Sequence, residues 1–162
     1  MNLSHLTTPA ARWSHLLAAD PDAARDALRA LDRAGSPVSV RFVRGRKAET
    51  TARFYDELAA ALQFPDYFGE NWDATNDCLT DLRWLSGGLV LGLLDGDKLL
   101  AAAGDDAARK LVQVLTAAAG HWDRPAGKVA ARPFHVVVQA RPAEADAVAH
   151  RWKALGLPLH RL

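Results

Sequence analysis

Apolar positions along this chain change period several times, and each change predicts an element. In the alanine-rich opening third, Ala24, Ala27, Leu28 and Leu31 form one helical stripe. Asp20-Pro21 ahead of it supplies an N-cap and a proline at the first helical position, and Gly35 a stop. After Pro37 the β-branched and aromatic run Val38-Ser39-Val40-Arg41-Phe42-Val43 predicts a first strand, ended by Gly45. Helical spacing returns over about Glu49 to Leu62 at Phe54, Leu58, Ala61 and Leu62. Phe64-Pro65-Asp66 then ends it, because proline disfavours helical geometry in the residue before it. A second helix is expected from Asn71. Gly87-Gly88 introduces Leu89-Val90-Leu91-Gly92-Leu93-Leu94, an uninterrupted apolar run suited to a sheet covered on both faces, and Asp95-Gly96-Asp97 turns the chain. Two short helical stretches are expected to flank Gly104-Asp105-Asp106, the second using Leu111, Val112, Val114 and Leu115. Phe134-His135-Val136-Val137-Val138 is the third expected strand, and a last helix spans about Pro142 to Leu155.

Strands separated by helices need crossover connections, so this order predicts an α/β layered fold with a small, mainly parallel three-stranded sheet packed by helices. Residues 1–36 are expected to form a helical N-terminal extension, 37–140 the layered domain and 141–162 a C-terminal helical extension. No internal repeat or low-complexity tract interrupts the chain.

A chain of 162 residues, 49% hydrophobic and 24% charged, is long enough to bury about 70% of its unfolded surface without staples. The single cysteine, Cys78, rules out an internal disulfide and fits a reducing cytoplasm. Arg12 and Asp20 break up the stretch where a signal peptide's apolar segment would lie, and no run approaches the roughly 20 apolar residues of a membrane span. Net charge is only +1, but its distribution is uneven. Between Asp66 and Leu85 the acids Asp66, Glu70, Asp73, Asp77 and Asp81 face one base, Arg83, while the rest of the chain is mildly basic.

That acidic segment carries the candidate chemistry. With Asn71 as N-cap, Ala74, Cys78, Leu82 and Leu85 fall on one face, expected to pack on the sheet with Cys78 as inert core. The other side carries Asp73, Asp77 and Asp81 at successive four-residue steps, which costs an isolated helix about 0.2 to 0.5 kcal/mol per like-charge pair. Asp73 lies in the first turn, where the helix dipole favours a negative charge; Asp77 lies beyond that benefit. Tyr67, Phe68 and Trp72 crowd aromatic surface beside these acids, the composition of a binding hot spot, although a core or rim role explains them too.

The stretch Tyr67-Phe68-Gly69-Glu70-Asn71-Trp72-Asp73-Ala74, followed by Asp77-Cys78-Leu79-Thr80, resembles the signature of the barstar family, and the order of elements over roughly residues 37 to 139 follows it. The resemblance implies a barstar-like fold and an intracellular immunity protein that inhibits a barnase-type, guanyl-specific ribonuclease. It implies neither catalysis nor a cofactor, and no direct contact with nucleic acid or membrane. By motif position Asp77 would take the place of the RNA phosphate and Asp73 a second charge contact. Tyr67 would lie over the catalytic region, with Gly69, Asn71, Trp72, Asn76 and Thr80 in the surrounding patch, to which Phe68 and Asp81 are added here. The sequence also departs from the family's best-known member. Asn76 stands in place of an aromatic, Asp81 and Leu82 in place of a glycine and an aromatic, and Ala117 where a later helix supplies a further acid. Partner specificity is therefore expected to differ, with Asp81 partly replacing the lost charge.

Three other readings compete. A barstar-like domain can serve a different toxin or regulatory partner. A metal-dependent hydrolase would use Asp73, Asp77 and Glu70 on a magnesium ion, but no phosphate-binding glycine loop or His-Glu-x-x-His accompanies them. A nucleic-acid-binding module would use Arg41, Arg44, Arg46 and Lys47, which solvated loop charges explain equally well.

Overall fold

The computed structural model describes residues 1–127 and 129–162. Its sheet has five strands, β1 (Ser14–Ala18), β2 (Val38–Arg44), β3 (Gly88–Leu94), β4 (Phe134–Ala140) and β5 (His160–Arg161), in the spatial order β2-β3-β4-β1-β5 and parallel throughout. The helices are α1 (Pro21–Arg29), α2 (Thr51–Leu62), α3 (Trp72–Asp81), α4 (Asp105–Trp122) and α5 (Ala145–Ala154).

The right-handed rule for parallel crossovers explains the layering. From β2 to β3 to β4, and on to β5, the chain advances in one direction, so α2 to α5 share one face; from β1 to β2 it runs backwards, which puts α1 on the other. The burial follows this division. Phe54, Leu58, Leu79, Leu111, Leu115, Val148 and Trp152 belong to one core, whereas Ala24 and Leu28 of α1 join Leu17, Val40, Val90 and Val137 in a second. Leu3 and Leu6, around a short 3-10 turn at Ser4–Thr7, extend that second core.

Three expectations change. The sheet has five strands rather than three. Ser14–Ala18, within a segment expected to be helical, lies between β4 and β5 with four of its five residues buried; at five residues it is too short to show a period. The two-residue β5 is shorter still. The two short helical stretches around Gly104 become a set of turns over 97–103 followed by one 18-residue helix, α4. The segment 141–162, expected as a helical extension, packs into the layers: α5 buries Val148 and Trp152 against the sheet, and the Trp152 indole donates to the Gly96 carbonyl at 3.2 Å.

Two buried polar devices tie the outer strands in. The Gln139 amide accepts from Asp95 N–H at 2.8 Å and donates to the Ala19 carbonyl at 2.7 Å, joining the ends of β3, β4 and β1. His135 Nε2–H donates to the Thr8 carbonyl at 2.8 Å; its Nδ1 is then bare and accepts from His15 Nε2–H at 3.1 Å. One edge of the sheet, β2, is guarded by carboxylates. Val40 N–H donates to Asp32 at 3.0 Å and Arg44 N–H to Glu57 at 3.4 Å, occupying donors that another strand would otherwise meet.

Candidate functional site

Five aromatic rings join the 64–71 loop and the start of α3 to α2. Phe64 meets Phe68 at 4.9 Å between centroids, Phe68 meets Tyr55 at 5.9 Å, and Trp72 stacks on Phe54 at 5.6 Å while its edge meets Tyr55 at 5.3 Å. Phe68 and Trp72 are half-buried in this ladder, so much of their surface is already engaged; Tyr67, just before Phe68, is 75% exposed. Gly69 sits where the loop tightens: the Asn71 amide donates to its carbonyl at 3.2 Å, and Glu70 adopts a left-handed φ of 49°. Asn71 then caps α3 as expected, its side-chain oxygen accepting from Ala74 N–H at 2.8 Å.

The buried face of α3 is Thr75, Cys78 and Leu79, continued by Leu82 and Leu85. Ala74, expected to lead this face, is only half-buried, and Thr75 takes its place, with its hydroxyl donating to the Asn71 carbonyl at 2.8 Å. The helix packs mainly on α4 rather than on the sheet, and the buried Trp122 indole donates to the Leu79 carbonyl at 2.9 Å. Leu82, with a left-handed φ of 36°, ends it, and the Trp84 indole ties the following turn to the Leu62 carbonyl at 2.7 Å. Burial pushes the Cys78 thiol up, with the charges of Asp77 and Asp81 adding to it, which matches an inert core cysteine.

On the opposite side the acids divide. Asp81 is held by the Arg83 guanidinium at 2.8 and 3.2 Å. Asp73 and Asp77 are exposed, and among the described residues no side chain forms a hydrogen bond or ion pair with either carboxylate. Thr80 turns its hydroxyl inward, to the Asn76 and Asp77 carbonyls at 2.9 and 3.1 Å. Trp72, Asp73, Asn76 and Asp77 form one wall of a groove of about 450 Å³, and Lys110, Gln113, Val114 and Ala117 of α4 form the other. The structure thus gathers four of the ten expected contact residues in the groove and leaves Tyr67, Phe68, Gly69, Asn71, Thr80 and Asp81 around it. Lys110, Gln113 and Val114 were not anticipated. Their spacing with Ala117, at steps of three, one and three, marks one helix face and was the available signal.

The features behind the competing readings are also placed. Three of the four basic residues near the end of β2 have acidic partners: Arg41 with Asp32 at 3.3 Å, Arg44 with Glu57 at 2.5 Å and Arg46 with Asp95 at 3.6 Å. The Arg44 hydrogen bond lowers the Glu57 carboxyl and Glu57 raises Arg44 in turn. No group of three or more His, Cys, Asp or Glu side chains among the described residues is arranged to hold a metal ion.

A family model described as Barstar (barnase inhibitor) matches residues 38–139, which is β2 through β4 with the capped acidic helix at its centre. The chain belongs to the barstar family. The barstar match takes in three of the five strands, the three legible in sequence, while β1 and β5 flank it. Barstars are inhibitors rather than enzymes, and the kind of partner the family binds is a barnase-type ribonuclease. None of the curated proteins compared is similar to the chain. Among solved structures, two of the Aeropyrum pernix ORC2 protein share the arrangement of elements. The ADPNP–ADP complexes match at 11% identity and a TM-score of 0.62, and the ADP form at 13% and 0.64. Each match covers 99% of this chain but 44% of the other, so the chain spans less than half the length of those proteins. At such identity the likeness concerns the fold alone.

Proposed function

We propose that this barstar-family protein is an intracellular immunity protein that inhibits a barnase-type, guanyl-specific ribonuclease by laying α3 into its active site. The observation that carries this reading is the pair Asp73 and Asp77. They stand one turn apart on the exposed face of a helix fixed from behind by α4, and neither carboxylate has a partner among the described residues. A ribonuclease gathers arginine, lysine and histidine around a phosphate, and a rigid carboxylate pair offers those donors charge-assisted hydrogen bonds in its place. Opposite fields also speed encounter, a rule that rests partly on the barnase–barstar pair itself.

In this arrangement Asp77 takes the phosphate position and Asp73 meets a second cation. Tyr67, exposed at the loop tip, covers the catalytic region. Gly69, Asn71, Asn76 and Thr80 complete the patch, while Phe68 and Trp72 contribute their outer edges and hold the loop. Asp81 contributes little, because Arg83 already neutralises it. Residues 37–140 carry the inhibitory surface, and the flanking segments 1–36 and 141–162 complete the sheet behind it. A cytoplasmic site of action agrees with the single buried cysteine.

A second reading, the same face serving a different toxin, is favoured by one observation: Ala117 leaves the α4 wall without a carboxylate. Titrating the RNA cleavage of barnase-type ribonucleases with the wild type and with Asp77→Ala tests the choice. Stoichiometric inhibition lost in the variant supports active-site blockade. Failure of the wild type against a panel of such enzymes overturns the ribonuclease assignment in favour of another toxin.

A further inference from the structure

The α3–α4 groove carries both signs of charge. Lys110 is exposed on the α4 wall, opposite Asp73 and Asp77, yet no carboxylate among the described residues lies within ion-pair distance of it. Its sequence neighbour Arg109 differs, pairing with Asp106 at 3.3 Å, as Arg83 after α3 pairs with Asp81 at 2.8 Å. The groove therefore presents an uncommitted ammonium facing two uncommitted carboxylates. Ala117 adds no bulk that would hold a partner off.

We propose that Lys110 determines partner specificity and that the partner's site carries a carboxylate beside the cations that meet Asp73 and Asp77. This rests on the reading of this face as the ribonuclease-binding surface. A partner that covered the groove with cations alone would bury Lys110 unpaired and against like charge, and enclosing an unpaired charge is costly. A partner with a carboxylate at that point satisfies all three groups and excludes relatives lacking it.

The long-range and local effects of Lys110 have opposite signs, which makes the test sharp. Removing a positive charge from the inhibitor of a basic enzyme should, by the overall field, speed association and tighten the complex. A local ion pair predicts the reverse on dissociation, where close contacts act. Rates of complex formation and decay with barnase-type ribonucleases are measured for wild type, Lys110→Ala, Lys110→Glu, Lys110→Arg and Asp77→Ala, with thermal melts of each. The expected result is dissociation about tenfold faster for Lys110→Ala, faster still for Lys110→Glu and largely restored for Lys110→Arg, with unchanged melting temperatures. A complex weakened by Asp77→Ala but unchanged or tightened by Lys110→Ala and Lys110→Glu overturns the Lys110 assignment alone, and includes the case of a side chain that swings out to water. No complex between the wild type and any such enzyme overturns the ribonuclease reading and this inference with it.

Discussion

Asp77 holds a charge that the fold itself does not use, so its removal separates binding from stability. Asp77→Ala is expected to leave the melting temperature unchanged while weakening the ribonuclease complex by at least about 2 kcal/mol, as hot-spot truncations do, barstar itself being one of the standard cases. Asp81→Ala is expected to cost less, since Arg83 already engages that carboxylate, and Arg46→Ala to cost almost nothing. Inhibition titrations beside thermal melts check the ordering, and three equal losses would refute it. The stripe of Asp73 and Asp77 was legible in sequence because four-residue spacing alone puts two side chains on one helix face. Lys110 was not, because spacing marks it only as part of one face of α4, and which face of α4 meets which face of α3 is settled by packing between elements. Ala74 shows the same limit on a finer scale: the periodicity located the buried stripe of α3 but began it one position early.

Two elements are built with little tolerance. In β3, Gly92 lies under the Phe42 ring, and a methyl group there would come within 2.6 Å of it. Gly92→Ala is expected to destabilise the protein by about 1 to 3 kcal/mol, readable as a lower denaturant midpoint with an unchanged slope. β2 forms the sheet's guarded edge. Replacing both Asp32 and Glu57 by alanine removes the carboxylates that hold Val40 N–H and Arg44 N–H, together with the Arg41 and Arg44 ion pairs. Concentration-dependent self-association is expected on light scattering, and a strictly monomeric double variant would count against the guarding role. The three strands β2, β3 and β4 could be read from sequence because each is a run of apolar or β-branched residues bounded by glycine, proline or a turn. β1 and β5 gave no such sign: the first is Ser-His-Leu-Leu-Ala within alanine-rich surroundings, and the second has two residues.

At the scale of the whole molecule, acid should loosen the junction between the N-terminal segment and the sheet. Burial draws His15 down to about 3 from its ordinary 6.5, with His135, His5 and His160 adding to the effect, and His135 is lowered mainly by burial as well. Arg12 and Arg161 line a pocket beside His5, His15 and His160, and Arg161 is paired with Asp146. The folded state thus binds fewer protons than the unfolded chain between about pH 3 and 6.5, so this contribution is complete above 6.5 and declines as pH falls. Melting temperature is expected to drop from pH 7 to pH 4, and less steeply in His15→Gln; identical slopes would exclude the histidine pair as a source. The order of strands has a consequence for synthesis. Of the sheet's five strands β1 is made first, yet the two between which it must insert are the last two made: His15 precedes its hydrogen-bonded partner His135 by 120 residues. The acidic helix α3 and its three-stranded backing can assemble while β1 waits as an unpaired segment, and the nascent chain closes its sheet only once β4 and β5 have been made, through contacts of the long-range kind that slow folding.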